Sequence, residues 1–272
     1  MEKLKYFFIK NKMKIIIALI IFICAIAISI GIFVQITDRD VINKEDEVQA
    51  DYEDLKNNFD SIFTNSINIE SSARQDINYE EIVYCKYNIN EEKDNYKINA
   101  KIPYFNIDNI NSEYINKNIS ELFSSKIIEI VNNSTLNTTF DLNYVVYVNN
   151  NIISLVINCK YKEGKNAQRQ IIQTYNYDLE KNKVLNIDDI LQYKNLSKEE
   201  VQTKISDEIS KKVSETQAIS QQGYNVYTRN ENDDMYKVEN TTNFFLGKNN
   251  YLYIVYAYGN NAFTSITDLV II

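Results

Sequence analysis

Residues 143–161 read NYVVYVNNNIISLVINCKY, two apolar runs on either side of three consecutive asparagines. Valine, isoleucine and tyrosine are typical strand residues, and asparagine tolerates the left-handed backbone that a tight hairpin turn requires. The stretch therefore predicts a β-hairpin with strands at 143–148 and 152–161 and a turn at 149–151.

Upstream of the hairpin, two runs alternate with a period of two: EIVYCKYNI at 81–89 and YKINAKIPY at 96–104. This period predicts two strands, because successive side chains of a strand point to opposite faces. One face of the first strand is expected to carry Val83, Cys85, Tyr87 and Ile89. Pro103, the only proline, falls near the end of the second run, where a missing N–H group is tolerated.

Three further segments predict helices. A helix over about 110–131 is expected to end at the turn residues 132–134, and shorter helices are expected at 187–193 and from 196 to about 215. The last begins with Ser-Lys-Glu-Glu at 197–200, a capping box. The apolar stripe of the first helix is predicted to consist of Ile115, Ile119, Leu122, Ile127 and Ile130.

Additional strands are predicted at 169–178, 243–246, 251–258 and 265–272. The run YLYIVYAY at 251–258 is apolar on both faces, which predicts a central position in its sheet. Because strands follow one another in runs separated by helices, the expected fold class is α+β, with antiparallel-rich sheets and helices packed on them. This domain is expected to span 78–272, as one unit or as subdomains at about 78–165 and 166–272.

The twenty residues 15–34 contain no charge. As a helix they span about 30 Å, enough to cross a bilayer. A single transmembrane helix is therefore predicted at 15–36. A cleavable signal peptide is the alternative, since Ala-Ile-Ala at 25–27 resembles a cleavage site, but the apolar run continues past it, which favours an uncleaved anchor. Lipoprotein processing at Cys24 is not expected, because Ile23 precedes it.

Charge predicts the topology. Residues 1–14 contain five lysines and one glutamate, a net charge of +4. Since the whole chain has a net charge of −8, the residues from 15 onward carry −12. The positive-inside rule places a cytoplasmic tail at 1–14 and the C-terminal domain outside the cell. Such an acidic outer domain is expected to repel nucleic acid. It can attract cationic partners by long-range electrostatic steering, but an ordinary solvated acidic surface is favoured.

A stalk is predicted at 37–77, acidic and partly helical. Its apolar residues recur at heptad-like steps: Val41, Val48, Tyr52, Leu55, Phe59 and Ile62. The stripe allows a homodimer through the stalk, but about two heptads are fewer than a coiled coil normally needs. Packing of this helix on its own domain is therefore favoured.

The composition restricts the possible chemistry. The chain has no histidine, which excludes Ser-His-Asp and Cys-His nucleophiles and the HExxH metal site. The asparagine- and aspartate-rich segment 230–234 lacks the glycine and the glutamate of an EF-hand, and Asp188-Asp189 are expected to cap the helix that follows. We therefore expect no catalytic residues, no cofactor and no metal.

Cys85 and Cys159 are the two cysteines outside the apolar N-terminal segment. Both alternate with apolar neighbours and are expected to point inward. Buried free thiols are favoured, and an inter-strand disulfide between them is the alternative, which an exported location would permit.

Three segments carry a family resemblance: KINAKIPYFNIDNINSEYINKNIS at 97–120, YNYDLEKNKVLNIDDIL at 175–191 and FFLGKNNYLYIVYAYGNNAFTSITDLVII at 244–272. Over about 78–272 the chain resembles the extracytoplasmic domain of RsiV-type anti-sigma factors. It is also similar to the non-catalytic N-terminal module of PdaC-type peptidoglycan deacetylases. The chain has Gly-Lys-Asn-Ala at 164–167, where such proteins often have Gly-Gly-Ala-His.

The resemblance implies an exported, membrane-tethered domain that in some relatives recognises lysozyme. Fourteen residues are too few for a sigma-binding domain and no segment follows Ile272, so neither anti-sigma nor deacetylase activity is expected. The predicted function is a binding or sensing module for a cell-wall glycan (peptidoglycan) or a cationic wall-active protein such as lysozyme, anchored in membrane lipid. A structural subunit of an envelope complex is the alternative, and a carboxylate-based hydrolase is third.

Overall fold

The computed structural model describes Leu55, residues 58–260 and residues 262–272. The predicted cytoplasmic tail, the predicted transmembrane helix and the stripe residues Val41, Val48 and Tyr52 lie outside this part of the chain. Within it, no helix is both long and apolar enough to span a membrane.

The described residues form an α+β fold that is rich in antiparallel pairing, as expected. The strands are β1 (Ile67–Ile69), β2 (Val83–Lys93), β3 (Tyr96–Phe105), β4 (Thr138–Asn149), β5 (Ile152–Glu163), β6 (Arg169–Asp178), β7 (Lys183–Val184), β8 (Phe244–Leu246), β9 (Leu252–Tyr258) and β10 (Ile266–Ile271). The helices are α1 (Tyr79–Ile82), α2 (Ile110–Ile119), α3 (Ser125–Asn133), α4 (Ile187–Lys194) and α5 (Lys198–Gln221).

Two sheets organise these elements. A seven-stranded sheet has the order β2-β3-β4-β5-β6-β7, with β1 joined to β4, and a three-stranded sheet has the order β10-β9-β8. The β3–β4 and β1–β4 pairs are parallel and the other pairs are antiparallel. The β3–β4 pair is parallel because α2 and α3 form the crossover between the two strands. The central position predicted for the run 251–258 is confirmed, since β9 lies between β8 and β10.

The predicted hairpin is formed by β4 and β5. Asn149 pairs with Ile152, so it belongs to the strand and not to the turn in which it was predicted. The turn therefore has two residues, and Asn150 adopts the left-handed conformation there, with φ of 51°. This correction follows from turn geometry, because two-residue turns match the twist of the flanking strands.

The predicted helix over 110–131 is present but interrupted by a π-helical turn at Ser120–Ser124. The predicted inward position of Leu122 is wrong: Leu122 is about half exposed and Phe123 is buried in its place. The buried residues Ile115, Ile119, Phe123 and Ile127 recur every four residues, more than the 3.6 of an α-helix. The wider π turn keeps these residues on one face.

The two sheets and the helices form four layers. On one face of the large sheet, α2 and α3 cover a core that includes Ile98, Leu142, Leu155 and Ile157. The other face packs on the small sheet, where Tyr147, Phe245 and Tyr253 stack in series with ring centroids 5.7 and 4.8 Å apart. On the far side of the small sheet, α4 and α5 cover a second core. The helix residues in this core are Ile187, Ile190, Leu191, Val201, Ile205 and Ile209.

Residues 59–77 were predicted as part of the stalk, but the structure places them in the domain. Phe59 and Phe63 are buried with their rings edge to face, and β1 pairs with β4. The heptad-like stripe does not continue as an α-helix here, since Phe59–Ile62 is a 3-10 helix.

Candidate functional site

The candidate site is a cleft of about 410 Å³ between the helical layer and the large sheet. The π turn and α3 form one wall, β4 and β5 form the floor, and the β5–β6 loop closes one end. Its lining residues are Leu122, Lys126, Phe140, Tyr161, Glu163, Asn166, Ala167, Arg169 and Ile171. We call it the β5–β6 cleft.

Two aromatic rings form the base of the cleft. Phe140 of β4 and Tyr161 of β5 are cross-strand partners, and their ring centroids are 6.4 Å apart in an edge-to-face arrangement. Phe140 is buried and Tyr161 is partly exposed. The exposed part of the Tyr161 ring therefore faces the cleft above the buried ring of Phe140.

Lys126 of α3 lies over this ring. Its Nζ is 5.0 Å from the centroid of Tyr161 and donates to Glu129 Oε1 at 3.0 Å. Burial disfavours the charged lysine, but Glu129 and Tyr161 together raise the pKa of Lys126 above its usual value. Burial raises the pKa of Tyr161, and the lysine lowers it in part. Both groups therefore keep their protons at neutral pH.

The rim is polar and comes from the β5–β6 loop. Glu163 and Arg169 lie at the two ends of the loop, and Asn166 stands between them. Gly164 has φ of +55° and its N–H donates to the carbonyl of Asn137, which fixes the loop against the segment before β4. A side chain would be strained in this backbone conformation.

Two apolar side chains complete the cleft, Leu122 and Ile171, both more than 40% exposed. Leu122 points outward because the π turn directs Phe123 into the core. The cleft therefore combines aromatic, aliphatic, cationic, anionic and amide groups within one concavity, the composition of a site for a polar ligand with apolar faces.

The sequence-predicted site residues lie elsewhere. Cys85 on β2 is partly buried, Cys159 on β5 is fully buried, and both are free thiols. Burial raises the pKa of each thiol, most strongly that of Cys159. Neither thiol lines the β5–β6 cleft.

Two acidic segments have structural contacts. In 230–234, the Asn230 side chain donates to Asp233 and accepts from the Asn232 N–H, which makes this a closed polar loop. The N-cap of α4 is Asn186 and not the predicted Asp188-Asp189 pair, because the helix already begins at Ile187. Asp189 occupies the N3 position of the capping box, and Asp188 pairs with Lys198. Among the residues the structure describes, no three histidine, cysteine, aspartate or glutamate side chains gather as they would around a metal ion.

Sequence reasoning missed the cleft because its residues come from five separate elements and a loop. Only the 164–167 loop had been singled out, and it contributes Asn166 and Ala167. The alternation of β5 could have indicated Tyr161, but no local pattern brings Lys126 to it.

No family model matches the sequence, and no curated protein does. Solved structures that match this chain include two DUF3298 family proteins. One is a DUF3298 family protein from Pseudomonas aeruginosa PAO1, with 12% identity and a TM-score of 0.42, over 69% of this chain and 86% of that one. The other is a DUF3298 family member from Bacteroides fragilis, with 16% identity and a TM-score of 0.34, over 64% of this chain and 80% of that one.

Proposed function

We propose that the chain is a membrane-anchored extracytoplasmic binding module and that the β5–β6 cleft binds a cell-wall glycan. The observation that carries the proposal is the partly exposed ring of Tyr161 surrounded by Arg169, Glu163 and Asn166. A sugar presents C–H groups on its faces and hydroxyl groups around its edge. Aromatic rings pack against the C–H faces, and guanidinium, carboxylate and amide groups form hydrogen bonds with the hydroxyl groups.

The anchor and the topology rest on the uncharged segment 15–34 and on the positive charge before it. Under this arrangement the domain faces the wall. The resemblance of its segments to RsiV-type and PdaC-type modules supports the same location.

The test is co-sedimentation of the full-length chain, held in nanodiscs, with purified peptidoglycan. We expect the chain to sediment with the glycan and Arg169→Met to weaken binding about tenfold, because a hydrogen bond to a charged group contributes about 1.5–3 kcal/mol. Arg74→Met is the matched control: Arg74 is also exposed, pairs with Asp76 and does not line the cleft. Equal binding by both variants, or no sedimentation, would reject the glycan site.

A cationic wall-active protein such as lysozyme is the second candidate ligand. Residues 59–272 hold 21 lysines and arginines and 28 aspartates and glutamates, a net charge of −7. Such a surface attracts cationic proteins at low ionic strength. A pull-down with lysozyme in about 20 mM and about 300 mM NaCl distinguishes the two ligands, since screening would abolish the charge-driven complex while leaving glycan binding largely unchanged.

A further inference from the structure

A second concavity lies on the opposite side of β6, where the two sheets separate. It has a volume of about 320 Å³ and lies between the first residues of β6 and the last residues of β9, with the segment before β8 at one end. We call it the inter-sheet groove. Of its lining residues, only Ile171 also lines the β5–β6 cleft, and only Tyr256 belongs to one of the two cores.

One wall of the groove is an open strand edge on β6. β7 pairs only with Tyr177 and Asp178, so no described strand pairs with this edge from Arg169 to Asn176. The Gln170 N–H donates to Ser265 Oγ, and the Asn176 carbonyl accepts from Leu185.

Alternate residues of a strand direct their backbone groups to the same side. The backbone groups of Gln170 and Asn176 point away from β5. Ile172 is in the same alternating set, so its N–H and C=O also point to the open edge. Ile172 lines the groove, and no described strand pairs with its backbone on this side.

The facing wall comes from β9, beyond the end of β8. β8 pairs with β9 only as far as Ile254, and the Val255 N–H donates to the carbonyl of Asn243. Leu252 exchanges backbone hydrogen bonds with Ile272. The N–H and C=O groups of even-numbered β9 residues therefore point toward β10, and those of odd-numbered residues point toward β8. Ala257 is the next odd-numbered residue, and its backbone is also directed toward the uncovered side.

The groove's lining mixes polar and apolar side chains and is uncharged: none of its lining residues is acidic or basic. Asn243 Oδ1 is buried there without a hydrogen-bond partner, and the hydroxyl groups of Thr241 and Tyr256 are buried beside each other. A buried polar group left unpaired costs about 1–3 kcal/mol. This arrangement is unfavourable for an ion and suited to a ligand that brings its own N–H and C=O groups.

We propose that the inter-sheet groove accepts an extended, uncharged peptide segment, which pairs as an added strand with the edge of β6 at Ile172. Main-chain hydrogen bonds to a strand edge supply affinity in this mode, and side chains on alternate residues supply specificity. Thr241 and Asn243, in the segment before β8, line the far side of the bound segment.

The experiment is a fluorescence anisotropy titration of the full-length chain in nanodiscs with a labelled, end-blocked Thr-Val-Thr-Val-Thr-Val peptide. Two further peptides carry N-methyl groups on the odd or on the even amides, and a fourth replaces threonine by glutamate. We expect the parent peptide to bind, one N-methylated peptide to lose about tenfold or more in affinity while the other is retained, and the glutamate peptide to bind more weakly. Equal binding by both N-methylated peptides, or no binding by the parent at about 1 mM, would overturn the proposal.

Two measurements locate the peptide. Hydrogen exchange at the amide of Ile172 should slow when the parent peptide is bound. Thr241→Val should weaken binding several-fold, whereas the same change at the exposed Thr139 of β4 should leave it unchanged. If Arg169→Met weakens peptide binding as much as Thr241→Val does, the peptide occupies the β5–β6 cleft and the groove assignment fails, whatever the outcome for glycan.

Discussion

The large sheet buries both of its faces, but against different partners. The face toward α2 and α3 is apolar, and its central residues Leu142, Leu155 and Ile157 have no exposed surface. The face toward the small sheet carries the buried polar side chains of Asn149 and Ser154 on the same hairpin. The central residues of the first face can hold α2 and α3 only by apolar packing, whereas the second face can also form hydrogen bonds with the small sheet.

On the polar face, four side chains bind the backbone of β8. Thr174 Oγ1 accepts from the Phe244 N–H at 3.0 Å, and Asn176 Nδ2 donates to the Phe244 carbonyl at 2.8 Å. Ser154 Oγ accepts from the Leu246 N–H at 3.1 Å, and Asn149 Nδ2 donates to the Leu246 carbonyl at 3.3 Å.

These four side chains take the place of a neighbouring strand for β8. The apolar face holds α2 and α3 by side-chain packing. The polar face holds β8 in one register, because each hydrogen bond joins a particular side chain to a particular backbone group. A shift of β8 by one residue would leave these buried groups unpaired.

The largest effect is expected on the apolar face. Leu155→Ala removes a side chain with no exposed surface, and we expect the free energy of unfolding to fall by about 2–5 kcal/mol. Urea denaturation measures it. The control is Ile171→Ala on the neighbouring strand: Ile171 is 42% exposed and should cost well under half as much. Similar losses at the two positions would contradict the assignment of this face as the main core.

On the polar face, Asn176→Ala should cost about 2–3 kcal/mol, because the Phe244 carbonyl stays buried without its donor and the Ser154 hydroxyl loses an acceptor at 2.6 Å. Asn176 and Ser154 share that bond, so Ser154→Ala combined with Asn176→Ala should cost less than the two single changes added together. Strict additivity would show that the side chains do not act as one network.

The difference between the faces also explains what the sequence could predict. Alternation located β6 at its observed bounds and the capping box at Ser197 located the start of α5, because both signals are local. The role of Asn176 could not be predicted, since its partners on β5 and β8 are far away in the chain. Likewise, Leu122 was predicted to point inward because nothing in the sequence signals a π turn.

Acid should affect the two sides of the sheet differently. α2 is capped by the amide of Asn109, which does not titrate, whereas α4 and α5 begin with capping boxes that contain Asp189 and Glu200. Burial opposes ionisation of Asp189, but Lys183 and the Asn186 N–H lower its pKa, and the Ser197 N–H lowers the pKa of Glu200.

Because these pKa values are lowered by folding, each carboxylate stabilises the fold above its ordinary pKa and loses this contribution as the pH falls through the lowered value. As the pH falls below about 4.5, α4 and α5 should lose hydrogen-exchange protection before α2 does. The Asp189→Asn, Glu200→Gln variant should be less stable at pH 6 and lose less stability on acidification. Asp94→Asn, in the exposed turn after β2, is the control, and earlier loss at α2 would contradict the prediction.

The smallest effect on stability is expected at Cys85. Both described cysteines belong to the apolar face, but Cys85 is partly exposed on β2 whereas Cys159 is buried in the core. In the native state, a small alkylating reagent followed by peptide mass mapping should modify Cys85 slowly, because burial raises its pKa, and should reach Cys159 only as the domain unfolds. Modification at Cys85 should change the free energy of unfolding by less than about 0.5 kcal/mol. In denaturant without reductant, both thiols should react with the reagent. Protection of both would instead indicate a disulfide that joins Cys85 of β2 to Cys159 of β5 across the apolar face.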